Sequence, residues 1–226
     1  MNQTNQTNTW DQVDQYISDR LIPHDAILEQ VLAANQKAGL PPYDVSPNQG
    51  KLLNIFAQMQ GAQRVLEIGT LGGYSTIWLG RALPKDGKIV TLEANPLHAE
   101  TARSNIALAQ LDGMVELREG DALKQLAQME EERVAPFDLI FIDADKPNNP
   151  LYLAWALRLS HPGTVIIGDN VIREGEVIQA LSTDPRIQGV RKFYDLLAEE
   201  SRITATAIQT VGSKGYDGFV IGIVNG

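Results

Sequence analysis

The sequence predicts an α/β protein built on a doubly wound, mostly parallel sheet, and three features carry that expectation. A short apolar run (Val65, Leu66, Ile68) stops at a glycine turn, Gly69 to Gly73, and a helical pattern follows from Tyr74 to Ala82. Strand, glycine turn and helix open such folds, and ligands bind where the strand ends. Strand-length and helix-length patterns then alternate through five units. Two final strand patterns are joined by Gly212-Ser-Lys-Gly215, and strands joined so shortly pair antiparallel.

Taken in order, residues 1–9 are polar and repetitive and are expected to form a disordered tail. Trp10 to Ile17 and Asp25 to Ala38 carry helical spacing, the second stopped by Gly39 and Pro41-Pro42. Ser46-Pro47 starts a third helix, Asn48 to Met59, ended by Gly61. These helices, within residues 10–60, are placed to cover the ligand edge. After the glycine turn, Lys88 to Glu93 reads as a strand and His98 to Gln110 as an alanine-rich helix. Met114 to Glu119 alternates as an edge strand does, and Leu123 to Glu131 is helical. Phe137 to Ile142 is a buried strand, Asn149 to Ser160 a helix, Thr164 to Ile167 a strand and Arg186 to Glu200 a helix. Ile203 to Thr210 and Gly218 to Val224 complete the chain. No linker divides it, so residues 1–226 are read as one domain.

Composition narrows the function. The chain has 226 residues, a formal net charge of -9 and no cysteine. An acidic chain without a basic run suits neither a nucleic-acid backbone nor an anionic membrane. Disulfides, thiolate metal sites and cysteine nucleophiles are excluded. No apolar run spans a bilayer and no signal-peptide pattern opens the chain, so a cytoplasmic location is expected.

Four predicted strands end on or beside acids: Glu67, Glu93, Asp143 and Asp169. In a parallel sheet their carboxyl ends share one edge, so these acids converge there. A carboxylate such as Glu67 inside a buried strand needs partners, and it is read as facing the ligand. Glu93 follows Gly69 at about the twenty-residue spacing of an acid that holds ribose hydroxyls. No lysine or arginine sits in the glycine turn, which points to a ligand with little phosphate. Asp143, Asp169 and Asn170 are oxygen donors suited to a hard cation such as Mg²⁺ or Ca²⁺. Lys146, one turn past Asp143, is a candidate base beside it.

Several blocks together resemble the cation-dependent, S-adenosylmethionine-using O-methyltransferases of the catechol and caffeoyl-CoA type, in particular their bacterial members. They are Ser46-Pro-Asn-Gln-Gly50, Leu66-Glu-Ile-Gly-Thr70, Gly73-Tyr-Ser-Thr76, Phe141-Ile-Asp-Ala-Asp-Lys-Pro-Asn-Asn149, Gly168-Asp-Asn170 and Thr210-Val-Gly-Ser-Lys-Gly-Tyr-Asp-Gly218. The resemblance implies a Rossmann-like class I methyltransferase fold with a seven-stranded sheet whose last strand is antiparallel. It implies metal ligands at Asp143, Asp169 and Asn170, with Mg²⁺ first and Ca²⁺ or Mn²⁺ as alternatives. It implies Lys146 as the catalytic lysine with Asp143 beside it. Cofactor contacts are implied at Val45, Glu67, Gly69, Thr70, Ser75, Glu93, Ala122 and Asp143. It also implies a homodimer and a small catechol-like acceptor. The segment Val171-Ile-Arg-Glu-Gly175 departs from the plant enzymes and argues against a CoA-thioester acceptor.

Singly, many of these residues have ordinary explanations. Asp169-Asn170 suits a helix cap, Ser75 a helix start, Lys146 a solvated surface and Glu93 an exposed strand end. His24, His98 and His161 show no partner pattern, and Trp10, Trp78 and Trp155 read as packing residues. Two other functions share the glycine turn: a nicotinamide-dependent oxidoreductase and a non-catalytic adenosine-binding module. The first has no use for Asp143, Asp169 and Asn170 together, and the second none for Lys146. An RNA methyltransferase would share the cofactor pocket but lacks its basic patch here.

Overall fold

A computed structural model describes residues 3–226, with side chains from residue 9 onward. Eight α-helices and seven strands alternate among the described residues: α1 Gln3–Leu21, α2 Ala26–Lys37, α3 Pro47–Gln60, β1 Arg64–Ile68, α4 Tyr74–Gly80, β2 Lys88–Glu93, α5 Pro96–Leu108, β3 Val115–Glu119, α6 Ala122–Glu131, β4 Phe137–Ile142, α7 Asn149–Arg158, β5 Ser160–Asp169, α8 Pro185–Glu199, β6 Ile203–Gly212 and β7 Gly215–Val224. Short 3-10 turns cover Lys146–Asn148 and Arg173–Ile178.

The strands form one sheet in the order β3-β2-β1-β4-β5-β7-β6. Neighbours from β3 to β5 run parallel, and β7 lies antiparallel between β5 and β6. The order reverses at β1 and β4, which pair directly, so the crevice for a ligand opens at their carboxyl ends. Burial on both faces explains the near-continuous apolar strands. Val65, Ile89, Leu139, Phe141 and Ile167 pack on one face against α2, α3 and α4. Leu66, Ile68, Val90, Leu92, Ile140, Ile142 and Ile166 pack on the other against α6 and α7.

Local chemistry sets the helix ends. Asp25 caps α2 by accepting from Ile27 N and Leu28 N, both 3.0 Å away. Ser46 caps α3 ahead of Pro47, and Gly61 ends it in the left-handed region at φ 63°. Asn95 and Pro96 open α5 in the same manner. α1 reaches back to Gln3, so the part of the expected disordered tail from residue 3 is helical; residues 1–2 lie outside the described residues. Adding turns to a helix already nucleated around Trp10 costs little, even with polar residues. β5 begins at Ser160, earlier than Thr164: Pro162-Gly163 does not break it, because a register shift opposite Phe137 and Leu139 absorbs the irregularity.

The three histidines, read from the sequence as structural or exposed, each have an acidic neighbour. His24 lies 2.6 Å from Glu29, His98 3.5 Å from Glu93 and His161 2.9 Å from Asp138. Asp138 also accepts from Gln63 N and Arg64 N at 2.8 Å each, tying β4 to the start of β1 at the edge opposite the crevice. Trp78 is a packing residue as expected, buried and edge-on to Tyr74 with ring centroids 6.4 Å apart, in the same cluster as the Phe56–Phe219 pair at 6.2 Å.

Candidate active site

The glycine turn is held against the end of β4. Gly69 sits at φ 103°, and a Cβ there would lie 2.1 Å from the Asp143 carbonyl oxygen, so only glycine fits. Asp143 N donates to Ile68 O at 2.8 Å and Gly69 N to Leu92 O at 3.0 Å, which stitches β1, β2 and β4 at the crevice. Leu71 turns at φ 50° and its N–H donates to Glu93 Oε2 at 2.8 Å. The other Glu93 oxygen accepts from Asn95 N at 2.9 Å. The acid at the end of β2 is thus rigidly aimed beside the glycine turn. Gly120 N donates to Glu93 O at 2.8 Å, which brings the β3–α6 turn, with Ala122 at the head of α6, to the same place.

Glu67 does not face open space. It is fully buried and accepts from three hydroxyls: Ser75 at 2.6 Å, Thr91 at 2.6 Å and Thr76. The Thr70 and Thr91 hydroxyls are 2.6 Å apart, so Glu67, Thr70 and Ser75 belong to one network beneath the turn. Burial pushes the Glu67 carboxyl up to about 7 against the pull of these three donors. Its visible role is to lock the turn from inside the sheet. Val45 is buried on the other side, in the cluster that holds Tyr74 and Trp78.

The second half of the site lies at the ends of β4 and β5. Lys146 is buried and its Nζ donates to Asp143 Oδ1 at 2.8 Å. Its main chain is pinned by α8, where a Cβ at Gly189 would lie 2.2 Å from the Lys146 carbonyl oxygen. Tyr152 on α7 donates to Asp145 at 2.5 Å, fixing the same corner from below. Asp169 is buried at the end of β5, and Gln49 Nε2 from the first turn of α3 donates to its Oδ2 at 2.7 Å. Burial and the nearby Asp143 charge push the Asp169 carboxyl up to about 7. Asn170 follows in the left-handed region at φ 52°. Asp217 Oδ1 then accepts from Ile172 N, Arg173 N and Gly218 N at 2.9, 3.0 and 3.0 Å, hanging the segment after Asn170 from β7.

Among the described residues no three acids, histidines or cysteines cluster. The donor set is two carboxylates and an amide. It still fits a hard cation: burial and the nearby Asp143 charge raise the Asp169 carboxyl, and Lys146 pairs with Asp143. Opposed carboxylates of this kind suit oxygen-only coordination.

The chain matches the O-methyltransferase family over residues 18–218. It is 50% identical over 215 residues to a catechol O-methyltransferase of Niastella koreensis, an alignment that covers 95% of this chain and 97% of that one. The chain belongs to the O-methyltransferase family. Its fold is shared with an O-methyltransferase of Bacillus cereus solved with SAH, at 62% identity and a TM-score of 0.96 over 97% of this chain and 100% of that one. TomG of Streptomyces achromogenes, solved with SAM and involved in tomaymycin synthesis, aligns at 46% identity and a TM-score of 0.95, covering 100% of both chains.

The O-methyltransferase chain thus brings Asp143 and Lys146 to one corner beside Asp169, and ties Glu93 to the glycine turn and to the turn before Ala122. Sequence reasoning missed Thr76, Thr91, Gln49, Asp217 and Gly189. Gln49, Asp217 and Thr76 lie inside the quoted sequence blocks, so a signal for them existed. Thr91 and Gly189 carried none, because their contacts depend on strand register and helix packing.

Proposed function

We propose that the enzyme transfers a methyl group from S-adenosylmethionine to one hydroxyl of a small catechol-like diol, with a divalent cation, Mg²⁺ first, held by Asp143, Asp169 and Asn170. The observation that carries this reading is the pairing of Lys146 with Asp143 at 2.8 Å beside a buried Asp169 that feels the Asp143 charge. A nicotinamide enzyme or a passive adenosine module has no use for that corner. Support for the cofactor and acceptor comes from the relatives: those named catechol O-methyltransferase and those solved with SAH or SAM.

When bound, S-adenosylmethionine supplies an electrophilic methyl group and the cation acidifies neighbouring phenolic oxygens. The chain's own groups do the rest. Glu93 keeps a free lone pair on each oxygen for ribose hydroxyls. Gly69, Thr70, Ser75, Val45 and Ala122 line the cofactor's side, and Glu67 holds their turn in shape. With the cation beside it Lys146 would give up its ammonium proton, and the neutral Nζ would then take the acceptor's proton. The rigid corner aligns oxygen and methyl carbon for in-line displacement, SAH leaving as the S–C bond breaks.

No helix among the described residues is long and apolar enough to cross a membrane. The resemblance supports reading the enzyme as a homodimer. The deciding experiment measures methyl transfer from S-adenosylmethionine to caffeic acid and to its monohydroxy analogue, with and without Mg²⁺. Transfer to the diol only, and only with the cation, supports the reading. Equal transfer to both acceptors overturns chelation.

A further inference from the structure

Two buried asparagines tie the N-terminal helices to the glycine turn. Asn35 on α2 and Asn105 on α5 are each 2% exposed. Asn105 Nδ2 donates to the Gly72 carbonyl at 2.8 Å and to Asn35 Oδ1 at 2.8 Å. Asn35 Nδ2 passes the chain on, donating to Asp44 Oδ1 at 2.8 Å. Gly72 lies flat on the Asn35 amide: a Cβ at position 72 would come within 2.0 Å of Asn35 Oδ1. The relay therefore runs from the glycine turn, through two helices, to the residue before Val45.

Only an amide can serve at position 35, because it must accept on one atom and donate on the other. A buried, fully paired network of this kind fixes distances, since breaking one link strands a polar group away from water. Its two ends are both on the cofactor side. Gly72 follows Leu71, whose N–H holds Glu93, and Asp44 precedes Val45.

We infer that Asn35 and Asn105 are positioning residues for S-adenosylmethionine, setting the spacing between the Val45 segment and the glycine turn. This rests on the cofactor reading above. It makes α2 a wall of the cofactor cradle, where the sequence alone assigned the N-terminal helices a covering role.

The test is calorimetric titration of SAH into wild type, Asn35→Asp, Asn105→Ala and the double variant Asn35→Asp/Asp44→Asn, each with its Tm. Asn35→Asp sets two carboxylates against each other, and SAH affinity should fall on the order of tenfold or more, the usual worth of a charged hydrogen bond. In the double variant the second substitution supplies an amide donor to the carboxylate of the first, so affinity should recover by most of that factor. Asn105→Ala leaves the Gly72 carbonyl without its donor and should also weaken SAH. It keeps the question answerable if Asn35→Asp does not fold alone. The KM for S-adenosylmethionine should rise in step while kcat on a saturating acceptor stays near wild type. Folded variants that bind SAH as wild type does overturn the relay. So does a double variant whose Tm recovers while its affinity does not. Wild type that binds no SAH overturns the cofactor reading itself, which separates the two failures.

Discussion

The amide nitrogen of Leu71 lies 2.8 Å from a Glu93 oxygen, joining a left-handed residue of the glycine turn to the acid at the end of the neighbouring strand. Removing the carboxylate loses that anchor and, on the proposed reading, the ribose acceptor with it. Glu93→Ala should weaken SAH binding by about 1.5–3 kcal/mol, the range for hydrogen bonds to charged groups. Calorimetry checks it, and an unchanged Kd would mean that Glu93 does not meet the ribose.

Stripping divalent cations should abolish turnover, and Mg²⁺ should restore it. The motive is the oxygen trio Asp143, Asp169 and Asn170, with Asp169 oriented by Gln49 at 2.7 Å. Asp169→Ala should remain inactive at any Mg²⁺ concentration that saturates wild type. Full activity of EDTA-treated, dialysed enzyme would sink the cation assignment.

Lys146→Ala should lower kcat on a catechol roughly 10²–10⁴-fold, the contribution of a positioned base, and leave SAH affinity nearly unchanged. The loss should shrink as pH rises, because hydroxide takes over the proton. A pH–rate profile of both enzymes on caffeic acid reads this directly. Wild-type kcat in the variant at neutral pH would remove Lys146 from the mechanism.

Glu67 makes a stability prediction with a definite sign. Its folded carboxyl is raised from 4.5 to about 7, chiefly by burial. A raised value means that the folded state holds the proton longer than the unfolded chain does. The stability this adds is complete below 4.5, declines as pH climbs, and is gone above about 7. The neutral isostere Glu67→Gln lacks this dependence. The Tm of wild type relative to Glu67→Gln should therefore fall across that interval and level off above it. Parallel Tm curves across the same pH range would show that Glu67 folds already ionised.

The fold was largely legible because its signals are local. The bounds of β2 and β4 follow directly from apolar runs that end at Glu93 and Ile142. The convergence of Asp143, Lys146 and Asp169 followed from parallel topology. What depended on pairing across strands was not legible. Glu67 sits level with Thr91 on β2, and no periodicity announces that register; hence its hydroxyl partners are not legible in the sequence. His161 and Asp138 likewise meet only because β4 and β5 are neighbours. Capping acids, by contrast, could be read in advance, as at Asp25 and Ser46.

Gly69 leaves no room between the glycine turn and the Asp143 carbonyl. Any side chain there would shove aside the residue that pairs with Lys146, so on the proposed reading methyl-donor recognition and acceptor activation share a single mechanical part. A lineage descending from this chain cannot reshape one without unsettling the other. The segment after Asn170 hangs from Asp217 by main-chain bonds, and its Ile172 side chain is buried while Arg173 reaches the same carboxylate at 3.9 Å. On the proposed reading, laboratory selection for bulkier donor analogues should avoid position 69 altogether.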